Sequence, residues 1–509
     1  MRITNSMITL HSQRNINQTK GLVDTYNEQM TTQKKISKPS DDPVVAIRSL
    51  RLRDSLSEVK QYTEKNIPDA TSWFEVTETA LINISKNLED AYKACENSAT
   101  GTLTTEDRNT LLKNLKAIVE HIYEEGNSDY AGRTVFTGYK TNKTLTFQTE
   151  TPNMVYDIKQ TFNVHDITSK NVYTNELNVP TSWNDLKDGY KLEDQMEKVT
   201  VDRIRLAYSK TGTIDADDIL VQGVKLTDIE VDGTTKAKFE EMPLDDWKKA
   251  KYDVPADTVY YIKETGELIL GEKVSETFKT KALADSNFSI DIQYQKKGFE
   301  QGEVRPEMYF DCNDVTDPLN PIKYIRENQD IEYTIASNQD LKVNTQAGED
   351  GILSTAIGRD IYELMNAITA AQNANDKVDR LKAFKNNPAY SDSEKQEAIN
   401  QWLEAAEKEK TLVEDNLKVL FSNGITNFQN YKQTVDLAKT DIGSRVSRLE
   451  LTKTRMETQQ TTIQTLIKDN EDRELSDILI DYKAAYNTYE SALKAAGKVN
   501  EMTLLDYIR

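Results

Sequence analysis

The chain has 509 residues, with 84 acidic against 64 basic side chains and a net charge of −20. So acidic a surface repels phosphate backbones and anionic lipid, which argues against nucleic acid and membrane partners. Hydrophobic content is 37% and mean hydropathy −0.67, values that suit long helices with narrow apolar seams better than one large globule.

The opening MRITNSMITLHSQRNINQTK contains no secretory-type apolar stretch, and no run approaches the ~18 residues of a transmembrane helix. Composition alone therefore predicts a cytoplasmic protein, or one exported without a cleaved signal. Ile3, Met7 and Leu10 begin a helical segment that Ile16, Val23 and Met30 continue in steps of seven on a shifted phase. The stretch KKISKPSDDPVVAIRSLRLR, residues 34–53, then breaks it. Pro39 disfavours the α region for Lys38, so the helix should end near Ile36 or Ser37. Asp42 is an N-cap and Pro43 suits the first helical position, while Ser40 and Asp41 offer further acceptors to the helix start. Pro39, Ser40, Asp41, Asp42 and Pro43 thus form a helix joint: a stop, a short loop and a capped restart.

The restarted helix should run to about Asn66 and end at Pro68. From about Ala70, Phe74, Thr77, Leu81, Ile84, Leu88, Ala91 and Cys95 alternate steps of three and four, a heptad seam. Gly101 should end that helix. TTED at 104–107 begins another carrying Leu112, Leu115, Val119 and Ile122, and Gly126 closes it.

From about 130 to 345 the period becomes that of strands. VYYIKETGELILGE (259–272) reads as a hairpin around Gly266, SIDIQYQ (289–295) alternates strictly, and IEYTIASNQDLKVNT (331–345) reads as a second hairpin. Helix returns with Ile361, Leu364 and Ile368, then with Ile399, Leu403, Ala406, Val413, Leu417 and Leu420. Beyond Gly424, Ile442, Leu449, Met456 and Ile463 stand seven apart. The last seam is Leu475, Leu479, Tyr482, Tyr486, Tyr489, Leu493 and Ala496. The fold class is mainly α with a β-rich insertion: an elongated antiparallel helical rod, or coiled coil, from both chain ends, carrying an inserted β-rich outer domain. Rod seam residues are Phe74, Leu81, Ile84, Leu88, Leu449, Met456 and Ile463. The thin terminal seams offer an assembly interface: Ile3, Met7, Leu10, Ile16, Val23 and Met30 with Leu475, Leu479, Tyr482, Tyr486, Tyr489 and Leu493.

Motifs of chemistry are missing. His11, His121 and His165 lie in separate segments, and Cys95 and Cys312 form no ligand pattern and read as two unpaired thiols. No phosphate-cradling or nucleophile-elbow motif occurs. The acidic stretches IDADDI (214–219) and DCNDVTDPLN (311–320) lack the glycine and distal glutamate of a calcium loop and read as solvated turns. No catalytic residue, cofactor or metal is expected.

The joint KISKPSDDPVVAIRSLRLR resembles that of the flagellin superfamily, and its Pro-Ser-Asp-Asp-Pro form is closer to the hook-associated, hook–filament junction branch than to flagellin. MRITNSM, DRNTLLKNL (107–115), NSDYAGRTVFTGYKT (127–141), the hairpin at 331–345, DIGSRVSRLE (441–450) and LLDYI (504–508) are similar to that branch in the same order. The resemblance covers roughly residues 1–147, 331–370 and 430–509; an enlarged outer domain and a helical stretch at 376–425 depart from it.

That resemblance implies three parts. Residues 1–38 and 460–509 would be inner-tube helices, largely disordered in the monomer; 39–141 and 346–459 a helical rod; and 142–345 the outer domain. It also implies a secreted, extracellular structural subunit of the bacterial flagellum, passed through the type III export channel and needed for filament assembly and swimming. Its partners would be copies of itself in a ring, an adjoining hook-associated protein, flagellin, and a cytoplasmic export chaperone before secretion. Three other readings stay open: a flagellin filament subunit, an adhesive protein on a coiled-coil stalk, and an enzyme housed in the insertion.

Overall fold

The computed structural model describes residues 5–100, 103–180, 196–327, 329–348 and 351–501. Ile3 lies outside the described residues. The chain divides into two compact units, one of Met1–Thr71, Tyr333–Leu341 and Val446–Arg509, the other of Ser72–Glu332 and Lys342–Arg445. Helices from the two chain ends enclose a β-rich middle, the predicted fold class.

In the first unit, α1 (Asn5–Thr32) leads to the joint and α2 (Pro43–Gln61) follows it. α1 stops four residues before Ile36, because Gln33 turns to a left-handed φ of 57° and Lys34 leaves the helix to bridge Asp472. Asp42 caps α2 as expected, accepting from the Val44 and Val45 amides at 2.9 and 3.2 Å. Asp41 does not serve the helix. It closes the loop instead, accepting from the Ser37 and Lys38 amides at 3.1 and 2.9 Å.

Pro68 does not end a helix either. A π turn, Tyr62–Asn66, carries α2 directly into α3 (Ile67–Thr100), with the Ile67 amide donating to the Tyr62 carbonyl. A proline in regular helix would clash with the carbonyl four residues before it, here that of Glu64; the wider turn removes the conflict without breaking the chain's direction. The hairpin of β14 (Glu332–Ala336) and β15 (Gln339–Lys342) largely belongs to this unit, not with the other strands. Asn66 donates to the Thr334 carbonyl at 2.7 Å, and Arg455 to Gln339 at 2.6 Å.

The second unit joins four helical segments to two sheets. The segments are α3 from Ser72, α4 (Thr105–Glu125), α6 (Thr355–Lys385) and α7 (Ser393–Glu471) up to Arg445; α5 (Glu272–Ala284) lies within the β-rich region. Thr104 and Asp107 cap α4 reciprocally, and Gly126 closes it. Phe74, Thr77, Leu81, Ile84, Leu88, Ala91 and Cys95 are all fully buried on α3. Ser85 donates to Asp436 of α7 at 2.8 Å, and Tyr123 of α4 accepts from the Gly358 amide of α6 at 3.2 Å.

α7 was expected as two helices separated near Gly424. It is one helix of 79 residues. A Cβ at Gly424 would lie 3.0 Å from the Cys95 sulfur and 3.5 Å from Leu364, so this glycine allows a close helix approach rather than a stop. The far end of α6 and the start of α7 form the additional helical hairpin at 376–425. Its Val378, Leu381, Leu403 and Ala406 bury Leu177 and Val179 of the β-rich region.

Besides the two-residue strands β1 (Asp129–Tyr130) and β2 (Arg133–Thr134), the region has β3 (Thr151–Phe162), β4 (Ile167–Tyr173), β5 (Lys198–Arg205), β6 (Ile219–Val221), β7 (Val224–Lys225), β8 (Lys238–Glu241), β9 (Thr258–Ile262), β10 (Glu267–Leu270), β11 (Ile290–Phe299), β12 (Asp311–Asp314) and β13 (Ile322–Tyr324). One sheet has the order β4-β5-β10-β9-β8, the other β13-β12-β3-β11-β6-β7. The β9–β10 hairpin turns at Gly266, whose φ of +64° favours glycine. Cys95 and Cys312 are free and buried.

Candidate functional site

The joint predicted from Pro39–Pro43 has a partner that the sequence reading missed. α7 ends at Glu471 and α8 (Leu475–Glu501) begins four residues later, opposite the break between α1 and α2. The two breaks are tied by backbone bonds: Lys35 amide to Glu471 carbonyl at 2.6 Å, and Arg473 amide to Gln33 carbonyl at 3.0 Å. Two interrupted helices thus satisfy part of each other's terminal donors and acceptors.

Glu471 is the centre of the double joint. It is 6% exposed and accepts from Arg53 through both oxygens, at 2.9 and 2.7 Å, from Ser49 at 2.5 Å and from Lys34 at 3.3 Å. The Arg53 hydrogen bonds, outweighing desolvation and aided by Ser49 and Lys34, hold its carboxyl at about 2. Lys34 also pairs with Asp472, and Asn470 donates to the Val45 carbonyl at 3.0 Å. A sign of this was present in the sequence: the steps of seven through Ile463 reach Asn470, not an apolar residue, inside the polar run KDNEDRE.

Beyond the joint α1 and α8 pack along each other, and because one ends and the other begins there, they run antiparallel. α1 and α8 are regular helices over Asn5–Thr32 and Leu475–Glu501. Ile16, Thr19, Val23, Tyr26 and Met30 are half-buried on α1. On α8, Ile478 and Ala485 are buried, with Tyr482, Tyr489, Ala492 and Ala496 half-buried, so this face alternates steps of four and three. Arg473 donates to Gln29 at 3.0 Å, pairs with Asp481 and lies over the Tyr26 ring.

Other apolar residues of the same two helices face solvent. Met7, Leu10 and Leu22 on α1, and Leu475, Leu479, Tyr486 and Leu493 on α8, are each 41% exposed or more. α8 therefore carries two seams, one turned to α1 and one unpartnered among the described residues. α2 adds exposed Val44, Ile47 and Leu50, while its Ala46, Ser49 and Val59 are buried. Leu449, Met456 and Ile463 are buried on α7. Phe74, Leu81, Ile84 and Leu88 are buried in the second unit and take no part in the joint. Among the described residues no group of three or more His, Cys, Asp or Glu is placed to hold a metal ion, and no helix is long and apolar enough to cross a membrane.

Residues 3–141 match the family model for the bacterial flagellin N-terminal helical region. The chain is 29% identical over 142 residues to the flagellar hook-associated protein 3 of Escherichia coli K12, and 30% identical over 142 residues to that of Salmonella typhimurium LT2. Each match covers 28% of this chain and 44% of the relative, so the chain spans less than half the length of the curated relatives it matches. A solved flagellar hook-associated protein from Vibrio parahaemolyticus aligns with 85% of this chain and all of its own, at 14% identity and a TM-score of 0.34. The sequence matches establish homology of the N-terminal helical region with flagellar proteins. The structural likeness is too slight to add to them.

Proposed function

We propose that the chain is a structural subunit of the bacterial flagellum that joins the hook, through an adjoining hook-associated protein, to the flagellin filament. The observation that carries this reading is the apolar stripe of α8 that no described residue covers, in a chain whose residues 3–141 match the flagellin N-terminal helical region. Leu475, Leu479, Tyr486 and Leu493, together with Met7 and Leu10, bury their surface against neighbouring subunits when the ring assembles. Ile16, Val23, Met30, Tyr482 and Tyr489 hold α1 to α8, so that the pair docks as one body. The joint at Pro39–Pro43, locked by Glu471, separates this inner pair from the rod helices α2 and α7, and Leu449, Met456 and Ile463 form the rod's seam.

The same reading makes the protein secreted, exported through the flagellar type III channel with a cytoplasmic chaperone covering its C-terminal helix, and required for swimming. Its role is structural, not catalytic. Immunogold labelling of isolated flagella with antibody against residues 142–345 tests it. A single band between hook and filament is expected. Label along the whole filament would make the chain a flagellin, and no label would remove it from the flagellum.

A further inference from the structure

A cleft of about 1010 Å³ opens in the second unit, lined by β4, β5, the β9–β10 turn and helices α4, α6 and α7. Its floor is an ionic layer. Arg203 pairs with Glu267 and donates to both oxygens of Glu363, at 2.8 and 2.7 Å. Arg205 donates to Glu363 at 3.0 Å and pairs with Asp360, and Lys170 donates to Glu267 at 3.0 and 2.7 Å. Asn427 and Tyr431, each at 2.9 Å, complete Asp360.

Three carboxylates thus pair with three cations, and a fourth cation, Arg359, lies in the same cleft. Its guanidinium donates to the Thr265 carbonyl at 2.6 Å and makes no ion pair among the described residues. Burial, then the nearby charge of Arg205, draws it down to about 10. Arg359 is half-buried, and Glu267 and Glu363 act on it only from a distance, so a bound anion would give it the direct partner it lacks.

Above it stand carboxylates that lysines already meet: Glu120 by Lys116 at 3.8 Å, Glu300 by Lys210 at 2.7 Å and Glu303 by Lys296 at 3.6 Å. Tyr362, one turn along α6, has its phenol pushed up by partial burial and then by the carboxylates of Glu120, Glu300 and Glu303. With these carboxylates paired, the one cation left without an ion pair matches a single negative charge better than a polyanion. Val119, Val419 and Leu420 give the cleft apolar wall. From this arrangement we propose that the cleft binds a small monoanionic carboxylate, amino acids included, with its carboxylate on Arg359. The site is independent of the flagellar reading.

Calorimetry and thermal melts of the full chain at constant ionic strength, with L-leucine, 4-methylpentanoate and pyrophosphate as probes, test this. Both carboxylates should bind and raise Tm, with pyrophosphate weaker than either. Arg359→Gln removes the guanidinium charge, and should bind the carboxylates at least about tenfold more weakly. The same variant should melt no lower than wild type, because it removes an uncompensated charge. Absence of carboxylate binding by wild type, equal binding by R359Q, or tighter pyrophosphate binding would overturn the site. So would a destabilised or unfolded R359Q, which would make Arg359 a structural cation.

Discussion

Glu471 does for the C-terminal half what Asp42 does for the N-terminal half, but by different means. Asp42 satisfies two backbone donors of its own helix. Glu471 gathers side chains from the α1–α2 loop and from α2, and its charge is what makes the joint a joint. Replacing it by Gln leaves the volume but removes the charge-assisted bonds to Arg53 and Lys34, and should cost about 1–3 kcal/mol at neutral pH. The pH dependence has a definite sign. The folded carboxyl sits at about 2 against 4.5 for an unperturbed glutamate, so the stabilisation is complete above pH 4.5 and is lost as pH falls toward 2. Other depressed carboxylates, Glu267 among them, titrate in the same range. The measurement is therefore the difference between wild-type and E471Q denaturant midpoints from pH 7 to 2, which should shrink toward zero at the acid end. A constant difference would place the effect of Gln in packing rather than in charge.

At the scale of elements, the helical part was largely legible because its seams repeat. The α3 seam from Phe74 to Cys95 is fully buried throughout, and the hairpins at Gly266 and at 331–345 form where alternation and turn residues place them. What misled was punctuation. Pro68 and Gly424 are ordinary helix breakers, yet one is absorbed by a local π turn and the other by tight packing against Cys95 and Leu364, neighbours distant in sequence. The end of α1 at Thr32 likewise depends on residues 471–473, which no local signal connects to it. Gly424 offers a direct test. Alanine there should gain about 1 kcal/mol of helix propensity, but its Cβ would press on the Cys95 sulfur at 3.0 Å. A double-mutant cycle with Cys95→Ala, which removes that sulfur, should show favourable coupling: G424A should be more stabilising in the C95A background than in wild type. Additive effects would mean that α3 and α7 accommodate the methyl without strain.

For the molecule as a whole, burial is unevenly distributed, and the division of labour follows from that. Along α8 only Ile478 and Ala485 are buried among the described side chains, whereas the second unit buries complete seams, two sheets and the helical hairpin beneath Leu177 and Val179. A single antiparallel pair with so thin a shared face is marginal by itself, since most helix stability comes from packing. The residues it leaves exposed are thus better understood as surface held for neighbours than as core. Deleting 475–509 should therefore leave the main thermal transition and most of the helical circular dichroism in place, while abolishing incorporation into flagella. If that deletion instead removed the main transition, the terminal helices would be part of the folding core. If the truncated chain still entered flagella and restored swimming, the exposed face of α8 would have no part in assembly.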